Sequence, residues 1–136
     1  MAQTKIRVEQ VIPSKETCFI NLNSGVALTG TETTYIRIPL GLNGYNLVEV
    51  AASCSGSSTS GSPTFTITNG STLMLTTNIM IDEGEVDSLT SGCPAAISTS
   101  ASSVWTGNKI WVSSSGSDTC GTGVTYAGVE LTFILP

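Results

Sequence analysis

Histidine is absent from this 136-residue chain, and charged and aromatic residues are scarce. Without histidine, the chain lacks the commonest general base and the commonest metal ligand of proteins. Charged residues make up 11% of the sequence, against about 25% in an average domain, and no basic stripe could follow a phosphate backbone. These shortages argue against an enzyme, against metal or other cofactors, and against nucleic-acid binding.

Long apolar runs are missing as well. No stretch approaches the ~18 residues that a bilayer-spanning helix needs. The N-terminal residues MAQTKIRVEQVI lack the apolar region of a secretory signal peptide. We therefore expect a soluble protein that is made in the cytoplasm and has no membrane partner.

Serine and threonine, whose side chains carry hydroxyl groups, are abundant in the sequence. The chain contains 19 Ser, 20 Thr and 14 Gly, and these residue types weaken helical backbone bonding more than they weaken strands and turns. A hydrophobic content of 40% is too high for a disordered chain, and the length fits one core.

Alternation of apolar and polar residues is the main pattern. It is clearest at the C-terminus, where Val129, Leu131, Phe133 and Leu135 share one strand face. Further strands are expected at 5–12, 17–22, 35–38, 45–53, 64–68, 73–81, 94–105, 109–113 and 123–128. Turn residues separate them, and Asn69-Gly70 predicts a type I′ hairpin. The pattern predicts an all-β fold, an antiparallel, jelly-roll-like β-sandwich of about eight or nine short strands.

The two ends of the chain differ in charge. Four of the five basic residues lie within the first 37 positions, although the net charge is −5. We expect residues 1–32 to form an N-terminal arm with the first strands, which docks onto a partner, and residues 33–136 to form the sandwich domain. The candidate contact residues in the arm are Lys5, Ile6, Arg7, Val8, Val11 and Ile12.

Four cysteines are present, without a CxxC pair. A zinc site would need four thiolates from distant positions, whereas structural zinc sites usually draw ligands in close pairs. Cys18 and Cys54 read as small buried residues. Cys93 and Cys120 lie in turn-like surroundings, and a disulfide between them is the alternative to two free thiols if the protein meets an oxidising medium.

Acidic and aromatic residues supply the remaining candidates for a site. Asp82, Glu83, Glu85 and Asp87 lack the spacing of an EF-hand and fit an acidic, solvated turn. Trp105, Trp111 and Tyr126 lie toward the C-terminal half, where aromatic residues either pack in a core or interface or stack on sugars. Trp111 and Tyr126 are the candidates for a subunit interface or a glycan contact, and Trp111 needs a partner surface or a loop to cover it.

Three phrases of the sequence resemble a family of small virion proteins of tailed bacteriophages. The first phrase contains Ile79, Ile81, Asp82, Gly84 and Glu85; the second contains Val104, Thr106, Gly107, Ile110 and Val112; the last contains Gly121 to Gly123, Val129, Leu131 and Phe133. The resemblance covers residues 33–136. The chain departs from the family at Asn108 and at the serines after Val112, where the family carries aspartates.

The resemblance implies a protein of the particle surface that is often a trimer. The small size favours a non-enzymatic capsid decoration protein, or cement protein, that stabilises the shell by bridging subunits. Its partners would be the major capsid protein or other virion proteins. The alternative is a tail-fibre or spike head module that binds a glycan of the host cell surface through Trp111, Tyr126 and the loops at 54–63 and 113–123.

Overall fold

The computed structural model describes residues 15–22, 32–115 and 126–136, which form an all-β sandwich. No α-helix occurs within these ranges, and two single 3-10 turns lie at Leu40–Leu42 and Ser88–Thr90. The strands are β1 (Lys15–Asn21), β2 (Thr33–Arg37), β3 (Asn46–Ser53), β4 (Thr64–Asn69), β5 (Thr72–Leu73), β6 (Leu75–Thr77), β7 (Ile79–Met80), β8 (Ala96–Ile97), β9 (Lys109–Ser115) and β10 (Gly128–Ile134). The expected all-β fold is confirmed.

Two antiparallel sheets form the sandwich, and each contains strands from both ends of the described sequence. One sheet has the order β1-β10-β3, and the other has the order β2-β9-β4-β5 with β7 also paired to β4. A small third sheet joins β6 to β8. Because β1 pairs with β10 and β2 with β9, early and late strands alternate between the two main sheets as in a jelly roll.

The strand alternation places the core between the sheets. From β10, Val129, Leu131 and Phe133 are fully buried, and they face Phe65, Ile67, Ile110 and Val112 of the other main sheet within one cluster. The intervening residues of each strand point outward, since side chains of a strand alternate between its faces. Each main sheet therefore has one outer face that is free of core residues.

The hairpin expected at Asn69-Gly70 is confirmed, but its turn type is not I′. Asn69 pairs with Thr72, so the two loop residues are Gly70 and Ser71. Only Gly70 of this pair has a positive φ, at 61°. A positive φ at the first central position alone, held by glycine, is the pattern of a type II′ turn.

The prediction of single long strands at 73–81 and 94–105 is wrong. Residues 73–81 are divided among β5, β6 and β7, because β5 and β7 pair with β4 whereas β6 pairs with β8. Residues 94–105 contain only the short strand β8 and an isolated bridge from Ser103 to Asn46. The strand expected at 5–12 and the first half of the one expected at 123–128 lie outside the described residues. Of residues 126–128, only Gly128 belongs to a strand, β10.

The last part of the N-terminal segment is a strand of the sandwich. β1 pairs with β10 over seven residues, from Lys15 with Ile134 to Asn21 with Gly128. Ile20 is 4% exposed and belongs to the core. The segment 1–14 therefore joins the domain at the outer strand of the three-stranded sheet.

Candidate functional site

The residues expected to contact the particle lie outside the described part of the chain. They are Lys5, Ile6, Arg7, Val8, Val11 and Ile12. The strand that follows them, β1, pairs with β10 and has no second strand partner within the described ranges. Their role as a docking segment stays a prediction.

The cysteines do not gather at one place. Cys54 is buried and Cys18 half-buried, as expected, whereas Cys93 is exposed. Burial raises the pKa of both Cys54 and Cys18, and a nearby carboxylate, Asp87 or Glu16 respectively, raises it further. These two thiols are therefore protonated at neutral pH and are weak nucleophiles. Cys120 lies outside the described residues, so its disulfide with Cys93 stays a prediction.

Trp111 and Tyr126 lie on different sheets. Trp111 is on β9 of the five-stranded sheet, and Tyr126 precedes β10 of the three-stranded sheet. The ring partner of Trp111 is instead Tyr35, its cross-strand neighbour on β2, with ring centroids 4.7 Å apart and planes inclined by 46°. Tyr35 thus covers part of the Trp111 ring, and cover from a partner surface or a loop stays a prediction.

The outer side of the five-stranded sheet carries aromatic, hydroxylated and basic side chains. We call it the five-stranded face, and it is formed by Thr33, Tyr35, Arg37, Thr66, Thr68, Leu73, Lys109, Trp111 and Ser113. One row across the sheet is Tyr35, Trp111, Thr68 and Leu73, and the next is Thr33, Ser113 and Thr66.

The basic residues of the five-stranded face are neighbours. Arg37 and Lys109 are cross-strand partners, and the Lys109 ammonium lies 5.2 Å from the centroid of the Tyr35 ring. Glu32 immediately precedes β2. Its carboxylate accepts a hydrogen bond of 3.0 Å from the Ser114 hydroxyl, on the inner side of the sheet. Among the described residues, this face carries two positive charges and no negative one.

The outer side of the three-stranded sheet is different in character. We call it the three-stranded face. Its central row consists of the cross-strand partners Phe19, Glu130 and Ala51. Leu89, from the 3-10 turn Ser88–Thr90, lies next to Ala51. Phe19 is 53% and Leu89 80% exposed. A groove of about 250 Å³ lies there, lined by Glu49, Val50, Ala51, Leu89, Glu130 and Thr132.

Local contacts explain why two large apolar side chains stand on the surface there. The ring of Phe19 covers Gly128, where an added Cβ would come within 2.1 Å of the Phe19 Cζ atom. The turn that carries Leu89 is attached to β3 by a hydrogen bond of 2.9 Å from the Ala52 amide to the Ser88 hydroxyl. The sheet therefore holds both side chains in place without burying them.

The acidic run folds into a hydrogen-bonded loop. The Asp82 carboxylate accepts from the Gly92 amide at 2.8 Å, and the Glu83 carboxylate accepts from the Gly61 amide at 2.9 Å. The hydroxyl of Thr90 donates to Glu85, and the Leu89 amide donates to Asp87 at 2.9 Å. All four carboxylates thus bind groups of their own chain and connect the acidic loop to the loops at 54–63 and 88–93.

The described ranges contain no group of three or more cysteine, aspartate or glutamate residues that could hold a metal ion. No helix in them is long and apolar enough to cross a membrane. A polar cleft of about 350 Å³ lies beside Trp105, which is 56% exposed, and is lined by serines and by Asn69 and Asn108.

No protein-family model matches the sequence, and a comparison with curated proteins gives no significant match.

Sequence reasoning missed three residues of these surfaces: Phe19, Tyr35 and Leu89. A signal existed for Tyr35, because it alternates with Ile36 and Ile38 and must therefore lie on the outer face of its strand. No local signal exists for Leu89, since only the attachment of its turn to β3 places it beside the sheet.

Proposed function

We propose that the chain is a non-enzymatic structural protein of a bacteriophage particle, a capsid decoration protein that stabilises the shell by bridging subunits. The observation that carries the proposal is the three-stranded face, on which the exposed Leu89 lines a groove and the exposed Phe19 lies next to Glu130, another lining residue. The sequence resemblance to small virion proteins supports the particle setting. The proposed location is the particle surface, and the proposed partners are the major capsid protein and further copies of the chain in a trimer.

Large apolar side chains that are exposed in the isolated chain gain free energy when a partner covers them. Complete burial of a leucine or phenylalanine side chain against a partner contributes about 1.5–3 kcal/mol. Leu89 and Phe19 are more than half exposed in the isolated chain, so most of this free energy is available to an interface. Rigid attachment of both residues reduces the entropy lost on binding.

The position of the N-terminal segment also supports docking through the three-stranded face. It joins the domain at Lys15, on the outer strand of the three-stranded sheet. A docking segment that leaves from this strand could bind the same partner as the groove, and the two contacts would then strengthen each other by raising the effective concentration.

The chemistry of the side chains supports a structural role over catalysis. The chain has no histidine, and the thiols of Cys18 and Cys54 have raised pKa values. All four carboxylates of the acidic run accept hydrogen bonds within the chain. A nucleophile would therefore lack the usual base in this protein.

The proposal is tested with purified protein and phage particles that lack it. We expect saturable binding at a fixed ratio to the capsid protein, and we expect Leu89→Asn to weaken binding at least tenfold because it removes the apolar contact. The matched control is Leu73→Asn, because Leu73 is 56% exposed on the opposite sheet. Full binding by the Leu89 variant, or a loss confined to the Leu73 variant, would contradict docking through the three-stranded face.

A second candidate function is a tail-fibre or spike head module that binds a host surface glycan. The observation that favours it is the Tyr35–Trp111 ring pair on the five-stranded face. A receptor-binding module should bind host cells in the absence of particles, whereas a decoration protein should leave adsorption of the phage unchanged when it is removed. Measuring both distinguishes the two functions.

A further inference from the structure

We propose that the five-stranded face binds acidic polysaccharides, meaning sugar chains that carry carboxylates. The inference does not depend on subunit bridging, because this face lies on the sheet opposite the proposed docking face. It names the sugar class for the glycan contact of the second candidate function, and binding to purified polymers tests it separately from binding to host cells. Three features of the face support this ligand.

The first feature is the aromatic platform. Tyr35 is 46% exposed and stands beside Trp111, with ring centroids 4.7 Å apart. Because the two residues are cross-strand partners, the sheet determines the spacing of their rings. The ring planes are inclined by 46° and the Lys109 ammonium lies over the Tyr35 ring, so the C–H side of a pyranose ring would pack on apolar ring area next to a cation.

The second feature is the row of hydroxyl groups next to the platform. Thr33, Ser113 and Thr66 are aligned across three strands, and the Thr33 hydroxyl donates to the Ser113 hydroxyl at 3.2 Å. Each hydroxyl offers one donor and two acceptor positions, so this pair retains further capacity. A regular array of groups that both donate and accept suits the hydroxyl groups of a polysaccharide.

The third feature is the sign of the charge. Arg37 and Lys109 are adjacent at the end of the platform, and no described carboxylate shares their face. The chain as a whole has a net charge of −5, so two adjacent positive charges with no ion-pair partner among the described residues are a local exception. Charge complementarity therefore selects an anionic ligand over a neutral sugar.

The composition of the face is mixed with respect to a protein partner. Serine and lysine are depleted at protein interfaces, whereas tyrosine, tryptophan and arginine are enriched there. Leu73 and the half-buried Met80, which pairs with Thr64, are the large non-aromatic apolar side chains on this outer side. The row of hydroxyl groups and the charge therefore favour a polysaccharide, and a second copy of the chain is the alternative that the sedimentation measurement tests.

The test measures binding of the full chain to three immobilised polymers: polygalacturonate, which carries carboxylates; dextran, which is neutral; and polyphosphate, which is anionic but has no sugar. We expect binding to polygalacturonate that weakens with salt, because exposed charges are screened. Binding to dextran and to polyphosphate should be at least tenfold weaker. Equal binding to dextran, preferential binding to polyphosphate, or no binding to polygalacturonate would overturn the proposal.

Variants assign the binding to this face. The double variant Arg37→Gln with Lys109→Gln should bind polygalacturonate about tenfold more weakly, since two exposed charge contacts of about 0–1 kcal/mol each are lost. Its control is Lys15→Gln, on the other sheet, with less than a twofold effect. Tyr35→Ala should also weaken binding, and Tyr126→Ala, at a comparably exposed position, should not. Unchanged polymer binding by the double variant would overturn the assignment. A change in the sedimentation of this variant without any polymer binding would also overturn it, and would indicate that the face mediates self-association instead.

Discussion

At the scale of single residues, carboxylates hold the exposed loops of the molecule in place. Asp87 caps the 3-10 turn Ser88–Thr90, because its side chain accepts a hydrogen bond of 2.9 Å from the Leu89 amide. The residue also pairs with Ser53 through an isolated backbone bridge. One side chain thus determines where Leu89, which lines the proposed docking groove and is 80% exposed, projects.

Asp87→Ala should lower the free energy of unfolding by about 1 kcal/mol, because loss of a capping side chain typically costs about 0.5–2 kcal/mol. Asp87→Asn is the matched control, since asparagine keeps the oxygen acceptor but removes the charge. It should stay close to the unsubstituted protein in urea denaturation. Equal losses in both variants would mean that the charge, rather than the cap, stabilises the turn.

At the scale of secondary-structure elements, β10 is the central strand of the three-stranded sheet. It pairs with β1 on one side and with β3 on the other, with a register shift between Thr132 and Phe133. Val48, opposite this shift, is 39% exposed, which is expected where an extra residue interrupts the ladder. Inward residues of β10 therefore contact core residues of both main sheets.

Leu131→Ala should lower the free energy of unfolding by about 2–5 kcal/mol, because it removes a fully buried side chain and leaves a cavity. Leu135→Ala, just past the end of β10, makes the same chemical change at a position that is 47% exposed. Its effect should stay below about 1 kcal/mol. Similar losses in the two variants, measured by chemical denaturation, would show that β10 is not the centre of the core.

At the scale of the whole molecule, the jelly-roll topology gives the protein two unlike sides. The three-stranded face presents Phe19, Leu89 and Glu130, and the five-stranded face presents Tyr35, Trp111 and two bases. The chain reaches the first side directly from its N-terminal segment, because β1 lies at the outer edge of that sheet. This arrangement allows one side to attach to a particle while the other faces outward.

Two N-terminal deletions should separate attachment from folding. Removal of residues 1–12 should leave thermal stability unchanged and abolish attachment to particles, because it spares β1 and removes the proposed docking segment. Removal of residues 1–22 should destabilise the domain strongly, because it deletes β1 with the core residue Ile20 and exposes the edge of β10.

Thermal unfolding and particle binding check both deletions. Full occupancy by the shorter deletion would show that the N-terminal segment is not the tether and that the three-stranded face is sufficient. An unchanged melting temperature in the longer deletion would contradict the role of β1 in the core.

Local pattern determined the fold class and much of the strand content. The alternation of Val129, Leu131, Phe133 and Leu135 predicted a core strand. The structure buries the first three, whereas Leu135 lies past the end of β10 and is 47% exposed. The sequence also predicted that Cys18 and Cys54 are buried, at least in part, and that a hairpin lies next to Asn69. These features could be predicted because alternation with period two and turn propensity are properties of neighbouring residues.

Only the tertiary structure decided which strands pair and what their outer faces bring together. Alternation across residues 73–81 could not show that β5 and β7 pair with β4 whereas β6 pairs with β8. Nor could it place Tyr35 against Trp111, 76 positions later, or Leu89 beside Ala51. Strand pairing depends on backbone hydrogen bonds that any residue pair can make, so the choice of partner is set by how the whole core packs.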